Sequence, residues 1–71
     1  MYLLFVVQEE GSHARKFSSF DEAMSFFKNA IDDTQYNIAV ALYDLDKDSY
    51  FGISDYGFVG EPIESWNNEN W

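Results

Sequence analysis

The first apolar stretch does not alternate. Tyr2 to Gln8, YLLFVVQ, is rich in β-formers and apolar at successive positions. That is the pattern of a strand covered on both faces, or one central in a sheet. The polar cluster Glu9-Glu10-Gly11-Ser12 follows and predicts a hairpin turn. His13 to Phe17 then predicts a short second strand, with His13, Arg15 and Phe17 on one side and Ala14 and Lys16 on the other.

The period changes at Ser19. Phe20, Ala23, Met24, Phe27 and Ile31 recur at three and four, the spacing of one helical face. Ser19 and Glu22 have the S-x-x-E form of a capping box, and Asp21 and Glu22 suit the positive end of a helix dipole. A helix is predicted from about Phe20 to Ile31, with Phe26 about 100° off the centre of its apolar face. Tyr36 to Leu45 alternates again. Ile38, Val40 and Leu42 fall on one face; Ala39, Ala41 and Tyr43 fall on the other, where two alanines leave room for a close approach such as the helix. Ser49 to Asp55 is expected to return as the hairpin partner of this strand. Pro62 suits the first position of a short helical turn that places Ile63 and Trp66 on one side.

This order, strand, short strand, helix, strand, strand, predicts an α+β fold. A small antiparallel sheet of about three to four strands would carry one helix packed on one face, the natural way to bury both apolar surfaces. Residues 1–60 form the domain in this reading, and residues 61–71 an acidic, Trp-containing tail.

Size and composition narrow the function. The chain has 71 residues and no cysteine, so it makes one thinly cored domain without disulfides or thiolate metal sites. At 46% hydrophobic and 20% aromatic it is too apolar for a solvated coil. No apolar run nears the roughly 20 residues of a membrane helix, and the first residues lack the basic and small-residue marks of a signal peptide. A cytoplasmic protein is expected, in the host cytoplasm if the source is viral. Thirteen acidic residues oppose four basic ones, for a net charge of −9. Such a field repels nucleic acid and anionic membrane and attracts basic surfaces.

Candidate chemistry is sparse. Residues 44–55, DLDKDSYFGISD, outline a calcium loop, with Asp44, Asp46 and Asp48 at the first, third and fifth places. The sixth place holds Ser49 rather than glycine, the twelfth Asp55 rather than glutamate, and the flanks read as strands rather than helices. An acidic hairpin turn is the better reading. His13 has no motif around it, no serine sits in a G-x-S-x-G elbow, and no glycine-rich phosphate loop occurs. Neither an enzyme nor a cofactor is expected. Stacking on nucleic acid needs a positive groove, and Arg15, Lys16, Lys28 and Lys47 are too few and scattered to make one.

The acids and aromatics remain. Asp44 and Asp46, alternate along a strand, would project a row of charge, as a nucleic-acid backbone does. Surface acids also serve plain solubility. Tyrosine and tryptophan crowd the C-terminal half and are preferred interface anchors. In this character, short, acidic, aromatic and cysteine-free, the chain resembles small virus-encoded inhibitors: anti-CRISPR proteins, anti-restriction DNA mimics and uracil-DNA glycosylase inhibitors. The resemblance lies in character rather than in a motif, and it transfers no functional residue. It implies an inhibitor that occludes the basic surface of a nucleic-acid-binding protein. Asp32, Asp33, Asp44, Asp46, Asp48, Glu61 and Glu64 would stand in for phosphates, and Phe26, Tyr56 and Trp66 would anchor. A second reading is a self-associating structural or regulatory module, a homodimer through an exposed sheet edge.

Overall fold

The computed structural model describes residues 1–47 and 51–68. Its elements are β1 (Tyr2–Gln8), β2 (Gly11–Phe17), α1 (Phe20–Asp32), β3 (Asn37–Asp44), β4 (Ile53–Ser54), β5 (Gly57–Phe58) and β6 (Glu64–Asn67). The fold is α+β, as the periodicities predict. One four-stranded sheet runs in the order β2-β1-β3-β6, antiparallel throughout, and β4 and β5 form a small separate hairpin.

β1 is central, and its residues from Leu3 to Val7 are buried on both sides. Its unbroken apolar run is explained by two covered faces. Leu4 and Val6 join Val40, Leu42, Phe17, Ala23 and Phe27 beneath the helix. Leu3, Phe5 and Val7 join Ala39, Ala41 and Tyr43 on the opposite face. The β1–β2 turn is closed by Gly11 at φ +146°, a backbone conformation that side-chain-bearing residues rarely adopt. α1 begins where its signal predicts, with the Ser19 hydroxyl accepting the Glu22 backbone N–H at 3.3 Å.

Three expectations are corrected. First, the alanines of β3 do not meet the helix. They form a flat floor on the other face, where Phe58, Leu45 and Ile38 pack. The rings of Phe51 and Phe58 stand 6.3 and 6.1 Å from that of Phe5. Alanine suits this floor because a second layer of rings must come close to the sheet.

Second, Ile38 does not share a face with Val40 and Leu42. The register between β1 and β3 slips between Val7↔Ala39 and Gln8↔Asn37, so Ile38 is the extra residue of a bulge. The slip sends Ile38 to the alanine side and turns Asn37 to the helix side. There Asn37 is buried, donates from Nδ2 to Ala30 O at 2.7 Å and accepts from Gln8 Nε2 at 2.9 Å.

Third, the segment after β3 does not return beside it. Among the described residues, the strand on that edge of β3 is β6, with Val40 opposite Trp66 and Leu42 opposite Glu64. A strand thus replaces the helical turn expected around Trp66, and part of the presumed tail completes the sheet. Residues 51–59 instead fold over the alanine floor, tied down by the Tyr43 hydroxyl donating to Val59 O at 2.7 Å. Replacing Tyr43 with phenylalanine is expected to cost about 0.5–1.5 kcal/mol. Amide exchange at Val59, whose N–H is bonded to Gly52 O, should accelerate while β1 amides change less. Equal acceleration at both places would show that the hairpin has no separate opening.

Candidate functional site

The bonds through Asn37 decide where the charges gather. They tie the C-terminal end of α1 to the last residue of β1, and hence to the turn that follows. Asp32 and Asp33 at the helix end therefore lie at the same end of the sheet as Glu9 and Glu10. All four are exposed. Tyr36, 62% exposed, borders a hollow of about 370 Å³ with Gln8, Glu9, Glu10 and Gln35.

This end is electrostatically one-sided. The last turn of α1 carries no basic residue. Asp32 and Asp33 therefore face the negative end of the helix dipole, a placement that costs roughly 0.3–1 kcal/mol for each such charge near a helix terminus.

Asp44 and Asp46 lie at the opposite end, about 20 Å away by the rise of a strand of this length. They do not form a row along a strand. β3 stops at Asp44, whose Oδ1 accepts the Asp46 N–H at 3.0 Å, and Lys47 N–H closes the turn on Asp44 O. The Asp46 carboxylate is paired with the chain's amino terminus at 3.1 Å, the only ion pair among the described residues. Glu64 is exposed on β6 opposite Leu42, at this same end. Glu61 is exposed shortly before it, and Asp48 lies outside the described residues. The window 44–55 therefore starts at the end of one strand and reaches past another, and is not flanked by helices as a calcium loop would be. Among the described residues, no three His, Asp or Glu side chains gather as a metal site.

The three expected anchors separate. Tyr56, at the tip of the β4–β5 hairpin, is fully exposed. The Ser54 hydroxyl fixes that tip, accepting from Tyr56 N–H and donating to Gly57 O. Trp66 is half-buried and packs on the helix-side core. Phe26 is 37% exposed but lies beside a cation. Its ring is 5.0 Å from that of Phe17, and the Arg15 guanidinium sits 4.6 Å from its centroid. Sequence reasoning placed Glu9, Glu10 and Tyr36 in no site. The adjacent glutamates in the turn were the available signal, but only the strand order and the Asn37 bonds place them at the same end as the helix terminus.

Fold and surface together define a small α+β domain with charge gathered at the two ends of its sheet, and among the described residues no helix is long and apolar enough to cross a membrane. Compared with known protein families, curated proteins and solved structures, the chain matches none.

Proposed function

We propose that this chain is a non-catalytic acidic protein that occludes a basic, nucleic-acid-binding surface of a partner protein, the role filled by small virus-encoded inhibitors of host defence. The observation that carries this reading is the end formed by Glu9, Glu10, Asp32 and Asp33 beside exposed Tyr36. There the carboxylates and the helix dipole add, and a tyrosine offers an anchor. Charge of one sign steers a basic surface into contact, and the aromatic side chain supplies area that the charges do not. Asp44 and Glu64, with Glu61 shortly before β6, make the other end acidic as well, and a broad partner would also touch it. Asp46 contributes less, because the amino terminus already pairs with it.

The test is capture on immobilised protein from bacterial lysate, eluted with duplex DNA. A nucleic-acid-binding protein released by DNA is expected. Reversing Glu9 and Asp33 to lysine should lower its affinity at least about tenfold, a change of about 1.4 kcal/mol. Reversing Asp44 and Asp46 should have the smaller effect. Equal capture by the Glu9/Asp33 variant would remove the acidic end from the interaction.

A further inference from the structure

The two edges of the sheet differ in charge. β2 is one edge, and it carries His13, Arg15 and Lys16, all exposed. β6 is the other and carries exposed Glu64. Arg15 is stacked on Phe17 and Phe26 at 5.2 and 4.6 Å, and among the described residues it pairs with no carboxylate. This guanidinium, in a chain of net charge −9, stands beside a groove of about 290 Å³. Leu4 and Val6 contribute to the walls of the groove, together with His13, Phe26 and Asn29.

The topology sets what can dock there. Successive strands of the sheet are antiparallel, and there are four of them, so β2 and β6 run in opposite directions. A second copy displaced sideways along the sheet, without being turned over, would set its β6 antiparallel against β2. Its helix would remain on the same face. Leu4 and Val6 are opposite Arg15 and His13, so both basic side chains lie on the helix face. Leu42 and Val40 are opposite Glu64 and Trp66, so these lie on the helix face too. Directly paired residues share a face. One register therefore sets Glu64 of the incoming copy against Arg15, and Trp66 beside His13 at the groove.

We propose that this chain associates head to tail through its sheet edges, β6 of one copy adding to β2 of the next, with Arg15 and Glu64 as the selecting pair. Cations on an exposed edge disfavour pairing of β2 with another β2. The same cations favour the acidic edge, so they choose between partners as well as repel. The net charge opposes assembly, but at physiological salt charges are screened over about 8 Å, whereas edge partners lie about 4.8 Å apart. Each added copy would rotate the sheet by the twist of four strands, roughly 80–100° in all. The contact is heterologous, and such a contact does not terminate in a dimer.

Sedimentation velocity at physiological salt, from micromolar to millimolar protein, tests this. The average mass should climb steadily without a plateau at the dimer. Arg15→Glu and Glu64→Arg should each weaken association at least about tenfold, and the two together should restore it to within about threefold. Circular dichroism confirms that each variant is folded. If a variant unfolds, the unaltered chain still decides: the outward-facing amides between Ser12 and Lys16, those not bonded to β1, should gain exchange protection with concentration. A monomer at millimolar concentration, a plateau at the dimer, or no rescue in the double variant would overturn the proposal. A monomer whose β2 amides are protected by a synthetic acidic strand peptide would overturn it too, and would give the edge to another protein. Asp33 also lines this groove, but the exchanged residues, Arg15 and Glu64, are not part of the acidic end, so failure here leaves the acidic-end reading standing.

Discussion

Shortening Leu42 to alanine is expected to cost about 2–5 kcal/mol. The side chain is fully buried beneath the helix, between Leu4 on one neighbouring strand and Glu64 on the other. Its backbone carbonyl accepts the Ile63 N–H at 2.7 Å and so helps seat β6. A domain of this size has roughly 4–10 kcal/mol of stability in all, at about 0.05–0.15 kcal/mol per residue. The variant should therefore lose about a third to a half of its stability at mid-range values. Urea titration should show the midpoint falling sharply with the slope little changed, whereas Leu42→Met should cost under about 1.5 kcal/mol. A loss below 1 kcal/mol for alanine would mean that the helix settles into the gap and that this half of the core is loosely packed.

The second large effect is expected at Asn37. Leucine there removes the bonds to Ala30 O and from Gln8 Nε2 together; Ala30 O keeps the Asp33 N–H, and Gln8 Nε2 is left in a part-buried place. Two net hydrogen bonds are worth about 0.5–1.5 kcal/mol each, and an orphaned part-buried group adds up to about 1–3 kcal/mol, so a loss of about 2–6 kcal/mol is expected. Asn37→Asp should be worse than leucine. It cannot donate to Ala30 O, and it adds a charge where Asp33 and the helix end are already negative. The order of the two midpoints is the measurement. Aspartate milder than leucine would show that packing, rather than the donated bond, is what Asn37 supplies.

Much of this was legible in the chain, for particular reasons. The β1 residues are buried twice, so their apolar run has no alternation to misread. α1 declares itself because its cap and its face agree. β6 was hidden because an edge strand with one covered face offers little pattern. In Glu64-Ser65-Trp66-Asn67 only Trp66 is apolar, and the proline before it pointed to a helical turn. The bulge at Ile38 was hidden for a different reason. A slip of one residue leaves no mark in composition, yet it decides which side Asn37 takes. The acidic ends follow from the antiparallel order, which puts the β1–β2 turn and the start of β3 at one end and Asp44 at the other, so the predicted site residues divide between two places.

β6 also gives the fold an order of assembly. β3 is synthesised about twenty residues before its outer neighbour, and until β6 docks, β3 presents a bare ladder edge flanked by Val40 and Leu42. An open, apolar strand edge of that kind invites mispairing. Residues 51–59 form the hairpin that covers the alanine floor, and they need only β1 and β3, which precede them in the chain. Refolding should therefore bury the alanine face before the β3 edge, and the Trp66 signal should lag the hairpin amides.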